Sequence, residues 1–136
     1  MSTAEDYSCS STVSGNKVEI TGGKITSSNR TSGNVYGGHS AKGEVSGNEV
    51  SISGANTKIK KDVYGGYTKA GEAKENILNI SAGDIGGYVY GGRSDNGTTV
   101  GNTVHMDGGA VDGFLYGGFS SGAAAKNTVS VSKGNL

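Results

Sequence analysis

Short runs of alternating apolar and polar residues occur along the whole chain. The clearest form is N-x-[V/L]-x-I, as in residues 48–52 (NEVSI) and 76–80 (NILNI). Alternation with a period of two, in segments rich in β-branched residues and bounded by Gly, Asn and Ser, predicts short β-strands. No segment shows the 3.6-residue period of an amphipathic helix, which excludes helical repeats. The pattern therefore predicts an all-β protein.

The predicted strands belong to a repeated unit. Four copies begin at Asn34, Asp62, Tyr88 and Phe114, and each contains a [V/L]-Y-G-G motif whose tyrosines are spaced 28, 26 and 26 residues apart. An earlier, incomplete copy spans residues 7–23 and aligns with the segment that begins at His39. The chain is therefore about five copies of one unit, and a period of this length indicates an array of stacked units.

Equivalent apolar positions form columns down the array and predict its fold. These columns are Val18, Val50, Leu78, Val104, Val129; Ile20, Ile52, Ile80, Met106, Val131; Ile25, Ile59, Ile85, Val111; and Val35, Val63, Val89, Leu115. Stacking them predicts a single-stranded parallel β-helix, a solenoid of about five coils with ~26 residues per coil and ~4.8 Å between coils. An up-and-down β-barrel is the competing fold, whereas a propeller blade needs roughly 40 residues and is excluded. In an unbroken strand Lys61 would point to the same side as Ile59 and Val63, that is, into the apolar core. Because a lysine is not expected there, we expect a corner between Ile59 and Val63.

The array forms a single domain, residues 1–136, with one irregularity. Nine residues (TSSNRTSGN) separate Ile25 from Val35 where other coils have three, so the insertion 26–34 is expected to project as a loop. Loops on solenoids often bind partners, which makes this polar segment, with Arg30 as its only charge, a candidate recognition site. Neither end of the array shows a polar cap, so we expect a fragment of a longer rod, or end-to-end or edge self-association.

Composition is consistent with this fold and restricts the function. Only 32% of the residues are hydrophobic, but a narrow solenoid interior needs only about four apolar side chains per coil. The 12 Lys and Arg balance the 12 Asp and Glu, so the formal net charge is zero. The chain therefore lacks the net positive charge that is typical of proteins that bind nucleic acid or an anionic membrane. No apolar run approaches the ~18 residues of a membrane span, and no secretory signal is evident. A single cysteine, Cys9, excludes an internal disulfide.

Two aromatic columns are the candidate ligand-binding residues. One consists of Tyr36, Tyr64, Tyr90 and Tyr116, and a more varied column beside it contains Tyr7, His39, Tyr67, Arg93 and Phe119. Stacked rings stabilise neighbouring coils, and Arg93 between Tyr67 and Phe119 is expected to add a cation–π contact. The functional alternative is an aromatic stripe that stacks on sugar rings. Whether the tyrosines face solvent is left open by the sequence.

Two polar columns are interpreted as structural. The asparagines Asn16, Asn48, Asn76, Asn102 and Asn127 stand two residues before an inward valine or leucine, and stacked amides can hydrogen-bond along the axis. A hydroxyl column of Ser8, Ser40, Thr68, Ser94 and Ser120 is interpreted as a second internal ladder. No base repeats beside these hydroxyls, which argues against a nucleophile.

Other site chemistries find little support in the sequence. The VYGG segments lack the spacing and the following helix of a phosphate-binding loop, and calcium-binding nonapeptide repeats are absent. His105 and Asp107 lie two apart on an outward strand face beside Asn79 and Ser130, where a solvated surface pair is the simpler interpretation. No paired-carboxylate site is evident. We therefore expect no catalytic residues, metal or cofactor.

The pattern VYGG…G…N-T-V-x-[I/M]-x-G-G resembles the glycine-rich repeats of bacterial autotransporter passengers and related surface adhesins. The resemblance covers nearly the whole chain and is specific for a repetitive β-solenoid rather than for one ligand. It implies export to the cell surface and a rod that displays loops or binds glycans or other host or bacterial surface molecules. Such proteins also carry a membrane-anchoring barrel, which we expect to be missing from this sequence.

The expected function is accordingly that of a non-catalytic, surface-exposed rod for attachment or display, located at the cell surface or outside the cell. Two alternatives are a carbohydrate-active β-helix, such as a polysaccharide lyase or a phage tail-spike protein, and a purely structural spacer. Turnover of polysaccharides would distinguish the first alternative, and a glycan-array screen would distinguish the second.

Overall fold

The computed structural model describes residues 11–26 and 33–136, and these form a parallel β-solenoid. It has about four turns of ~26 residues, with no helix in the described ranges. The predicted fold class is therefore confirmed, and all pairings between its strands are parallel. The structure has about four turns where the sequence predicts about five coils. Residues 7–10 of the incomplete first copy lie outside the described ranges.

Each turn is built from short strands separated by bends. In chain order, the strands of the described part are β1 Val13–Ser14, β2 Lys17–Ile20, β3 Lys24–Ile25, β4 Val35–Tyr36, β5 His39–Ser40, β6 Val45–Ser46, β7 Glu49–Ile52, β8 Lys58–Ile59, β9 Val63–Thr68, β10 Glu72–Lys74, β11 Ile77–Ile80, β12 Asp84–Ile85, β13 Val89–Ser94, β14 Thr98–Val100, β15 Thr103–Val111, β16 Leu115–Ser120, β17 Ala124–Ala125 and β18 Thr128–Asn135.

Three sheets form the walls of the solenoid. The first has the order β1-β6-β10-β14-β17, and the third has the order β16-β13-β9-β4, with β5 also paired to β9. The second has the order β2-β7-β11-β15-β12-β8-β3, with β18 paired to β15. In this second sheet the long strand β15 continues through the bend that separates β11 from β12 in the preceding turn. Each turn therefore has four straight segments around one interior.

The predicted columns are the actual strand registers. Leu78 of β11 pairs with Val50 on one side and Val104 on the other, and Ile80 pairs with Ile52 and Met106. These side chains are at most 1% exposed, and the buried cluster continues through Ile59, Ile85, Val63 and Val89. The corner between Ile59 and Val63 is also confirmed. Both of these residues are buried, whereas Lys61 between them is half-buried at the bend.

The asparagine column forms the predicted internal ladder. Asn48, Asn76 and Asn102 are fully buried, and each Nδ2 donates to the Oδ1 of the asparagine in the next turn at 2.9–3.0 Å. Asn76 Nδ2 also donates to the carbonyl oxygen of Val45 at 2.9 Å. The ladder therefore runs along the axis beside the aliphatic core.

The hydroxyl column forms different bonds from those expected. Thr68 Oγ1 donates to the carbonyl oxygen of Gly43 at 2.9 Å and accepts from the amide of Gly71 at 3.0 Å. Ser94 repeats this pattern with Gly71 and Gly97. The hydroxyls thus bind the backbone of the bends that follow the third-sheet strands, in their own turn and in the preceding turn. Ser8 of this column lies outside the described residues.

Candidate functional site: an aromatic face

The glycine pair in each VYGG motif determines which side chains leave the core. Val63 and Thr68 of β9 are buried in the interior, whereas Tyr64 and Tyr67 stand on the outer side. Between them, Gly65 and Gly66 both approach Asn76, since a Cβ on either glycine would lie within 3.3 Å of that side chain. Two consecutive residues without side chains allow the strand to present two outward rings three positions apart. Equivalent positions in other turns then stack into columns.

Three outward columns lie side by side, two on the strands of the third sheet and one directly before those strands, and we call them together the aromatic face. The first column contains Asn34, Asp62, Tyr88 and Phe114, the middle column Tyr36, Tyr64, Tyr90 and Tyr116, and the outer column His39, Tyr67, Arg93 and Phe119. All tyrosines and phenylalanines of the described residues belong to these columns. Tyr7 lies outside the described residues.

The middle column is a continuous ring stack. Centroids of successive rings from Tyr36 to Tyr116 are 4.9, 4.9 and 5.0 Å apart, with interplanar angles of 5°, 3° and 8°. The rings point away from the aliphatic core, which answers the question that the sequence left open. However, Tyr64 is only 5% exposed and Tyr90 only 4%. Their ring faces are therefore occupied by neighbouring rings and are not available to a sugar.

The outer column packs against the middle column. His39 stacks on Tyr36 and on Tyr67, with centroids 4.8 and 5.0 Å apart. The guanidinium carbon of Arg93 lies 5.6 Å from the Tyr67 ring centroid and 5.2 Å from that of Phe119, which confirms the predicted cation–π contact. Arg93 also lies 5.2 Å from the ring of Tyr90. A cation thus takes the place of a ring in this column.

Carboxylates hold the phenol groups of this face. Tyr67 Oη donates to Asp95 Oδ2, and Arg93 Nε donates to Asp95 Oδ1 at 3.0 Å. Tyr64 Oη donates to Asp62 Oδ2 at 3.3 Å. Burial, followed by the hydrogen bond to Asp95, raises the pKa of Tyr67 to about 12, and burial also raises the pKa values of Tyr64 and Tyr90. Tyr64 and Tyr67 are therefore neutral donors at physiological pH, whereas Tyr90 Oη accepts from Arg93 Nη1 at 3.3 Å. All three phenols act as fixed parts of the face.

The exposed part of the face lies in the later turns. Tyr88 is 42%, Phe114 66% and Phe119 41% exposed. The rings of Tyr88 and Phe114 are parallel within 1°, with centroids 5.7 Å apart, and both meet the middle column edge-on. Gly113 provides the space for Tyr88, because a Cβ there would lie 2.1 Å from the ring. These exposed rings form the candidate contact surface.

Sequence reasoning missed the first column. Tyr88 and Phe114 stand two residues before a VYGG-type tyrosine, but the equivalent positions in earlier copies are Asn34 and Asp62. Asn34 and Asp62 are polar because they bind the next turn: Asn34 Oδ1 accepts from the amide of Asp62, and Asp62 Oδ1 from that of Tyr88. The change from polar to aromatic residues along one repeat position was the available signal.

His105 and Asp107 lie two residues apart on the outward face of β15. His105 pairs in register with Asn79 and Ser130, as predicted, and these residues line a groove of about 410 Å³ together with Asp107. His105 and Asp107 form no ion pair in the described part of the chain. Within residues 11–26 and 33–136, no group of three His, Cys, Asp or Glu side chains is placed to hold a metal ion.

Residues 27–32 of the insertion, with Arg30, and Cys9 lie outside the described ranges, so the loop remains a prediction. In the described ranges no helix has the length and apolarity needed to cross a bilayer.

Fold and face together define a class: a parallel β-solenoid repeat protein with one aromatic wall. Comparison with protein-family models, with curated proteins and with solved structures finds no match to this chain.

Proposed function

We propose that this protein is a non-catalytic rod that binds glycans through its aromatic face and so mediates attachment at a cell surface. The observation that carries the proposal is the exposed pair of parallel, stacked rings of Tyr88 and Phe114 beside a buried stack of tyrosines. Exposed aromatic rings that are concentrated on one face of a chain are typical of a binding surface, whereas rings with a purely structural role are usually buried.

Sugar rings fit such a surface for a physical reason. One face of a pyranose consists mainly of C–H groups, and packing it on an aromatic face removes apolar area of both from water. Tyrosine adds a hydroxyl at the ring edge that can exchange hydrogen bonds with sugar hydroxyls. Phe114, as the most exposed ring of the face, offers the largest area for this contact.

The middle column acts as a support for this surface. Tyr90 and Tyr116 contact the exposed ring of Tyr88 edge-on, with centroids 6.4 Å away in both cases. Rings held by their neighbours lose little conformational freedom when a ligand binds, so less of the contact energy is offset by ordering. The surface location is part of the proposal and is supported by the resemblance of the repeats to those of passenger and adhesin rods.

A glycan array tests the proposal directly. Labelled wild-type protein should bind a subset of glycans, and the Phe114→Ser and Tyr88→Ser variants should lose most of that signal. Ile77→Ser is the matched control, since Ile77 is an apolar residue, 39% exposed, on a different sheet. Because the two aromatic side chains are exposed, the variants should unfold at nearly the wild-type temperature.

Three results would contradict the proposal. Absence of binding to any glycan favours the structural spacer, and binding that survives in both aromatic variants places the contact elsewhere. Release of new sugar ends from bound polysaccharide favours the carbohydrate-active alternative instead, with the groove beside His105 as the first place to mutate.

A further inference from the structure

A basic groove lies around the corner from the exposed aromatic pair. It has a volume of about 330 Å³ on the second sheet, and the side chains of Lys24, Thr26, Lys58 and Lys60 line one end of it. Its floor is the buried pair Ile59 and Ile85. A volume of this size is at the lower end of ligand sites in proteins, about 300–1,000 Å³, and suits one sugar unit.

Two lysines of this groove lie side by side on adjacent strands. Lys24 and Lys58 are paired in register on adjacent strands, and like charges at such positions repel each other. Lys58 is also bound to Asp84, with Nζ 2.9 Å from Oδ2, which leaves Lys24 with no ion pair in the described part of the chain. An anion between these lysines would relieve the repulsion.

The groove is basic at one end and acidic at the other. Lys24, Thr26 and Lys60 occupy the end formed by the earlier turns, and Asp84 and Asp112 the end formed by the later turns. An anionic group is attracted to the first end and repelled from the second. The two carboxylates are instead acceptors for hydroxyl groups, which orients a sugar with its acid towards the lysines.

The groove and the aromatic pair are adjacent because two chain segments pass through both. Gly86 and Asp112 line the groove, and they precede Tyr88 and Phe114 by two residues each. Gly86 is opposite Lys60 in the neighbouring turn, and a Cβ on Gly86 would lie 2.7 Å from the Lys60 carbonyl oxygen. A residue without a side chain therefore leaves the groove open at this bend.

We propose that this groove binds the anionic group of an acidic sugar, a carboxylate or a sulfate, while the Tyr88–Phe114 pair stacks on a neighbouring unit of the same glycan. The proposal rests on the proposed function, since it names the class of glycan that the rod binds. Lys24, Lys60 and Thr26 donate to the anion, and the rings supply the apolar contact.

Three probes distinguish binding of an acidic sugar in this groove from glycan binding by the aromatic face alone. They are a uronate oligosaccharide, the same oligosaccharide with its carboxylates reduced to hydroxymethyl groups, and a sulfated form of that reduced oligosaccharide. Calorimetric titration of wild-type protein should show tighter binding of either acidic probe than of the neutral one. A double variant, Lys24→Gln with Lys60→Gln, should weaken acidic binding roughly 10- to 100-fold and leave neutral binding unchanged. Added salt should weaken only the acidic interaction.

The matched control is Lys69→Gln with Lys133→Gln, which removes the same net charge at exposed positions away from the groove. Loss of acidic binding in this control as well would overturn the proposal in favour of a general charge effect. Equal binding of acidic and neutral probes would also overturn it, while the glycan-binding function itself would stand. If no probe binds, both proposals fail.

Discussion

At the scale of single residues, the buried asparagines do most to define the interior. Each side chain has donors and an acceptor, so one amide can accept from the turn before it and donate to the turn after it. Asn76 Oδ1 accepts from both the side chain and the backbone amide of Asn48 at 3.0 Å, and Asn76 Nδ2 donates to Asn102 Oδ1 at 2.9 Å. No buried side-chain nitrogen or oxygen in the described residues lacks a partner. The ladder therefore links successive turns without leaving an unpaired polar group.

Asn76→Leu should destabilise the rod strongly. The change removes Asn76 Oδ1, the acceptor for the Asn48 backbone and side-chain amides, and Asn76 Nδ2, a donor to the Val45 carbonyl and to Asn102 Oδ1. Asn102 Oδ1 keeps the backbone amide of residue 76 as a donor, and Asn48 Nδ2 keeps the Val13 carbonyl as an acceptor. Each buried group that is left unpaired costs about 1–3 kcal/mol. We expect the free energy of unfolding, measured by urea denaturation, to fall by roughly 3–5 kcal/mol.

Asn79→Leu, on the outward face of the same strand, is the control for this substitution. It should change the free energy of unfolding by less than about 1 kcal/mol. Equal losses in the two variants would show that the ladder adds nothing beyond the packing of the strand.

At the scale of elements, the VYGG strand depends on close approach of backbones between turns. A Cβ on Gly65 would lie 2.4 Å from the carbonyl oxygen of Gly91 in the next turn. A Cβ on Gly91 would likewise lie 2.6 Å from the carbonyl oxygen of Gly117. The obstacle is backbone rather than a flexible side chain, so it cannot move without separating the strands. Glycine at this position therefore sets the spacing that the tyrosine stack requires.

Gly65→Ala should consequently destabilise the protein by about 1–3 kcal/mol or more through overpacking. Gly22→Ala is the matched control, because a Cβ at Gly22 would meet nothing within 4 Å and its backbone is not in the left-handed region. The control should be neutral or slightly stabilising, since alanine restricts the unfolded chain. Thermal unfolding followed by circular dichroism measures both, and an unaltered melting temperature for Gly65→Ala would contradict the spacing argument.

At the scale of the whole molecule, stability is distributed along one axis. Each turn contacts only its neighbours, so opening an interior turn disrupts two interfaces and opening an end turn disrupts one. β11 lies between β7 and β15, and its Leu78 and Ile80 are at most 1% exposed, whereas every residue of β18 is exposed.

Amide hydrogen exchange should therefore be slowest in β11 and fastest in β18, after correction for the intrinsic rates of the unfolded chain. Mass spectrometry of exchanged peptides, or NMR of the intact chain, would give the profile. Uniform protection along the rod would instead indicate that exchange requires unfolding of all turns at once.

Much of this architecture is determined by the sequence alone. A unit of about 26 residues with period-two alternation allows one register only, because a shift by one residue would move Val50 and Ile52 out of the core. The aliphatic columns, the asparagine ladder, the corner at Lys61 and the contact of Arg93 with two rings all follow from the repeat, since each depends on which residues are equivalent.

Tertiary structure decided what depends on distances across columns and around corners. The sequence could not show that Tyr64 and Tyr90 are outward yet covered, because their burial comes from the rings on both sides of them in the middle column together with residues of the flanking columns. Nor could it show that Thr68 and Ser94 bind the bends rather than each other, or that the lysine groove adjoins Tyr88 and Phe114. A repeat specifies neighbours along the axis, whereas exposure and site formation depend on neighbours around the turn, and only the folded path of the chain sets those.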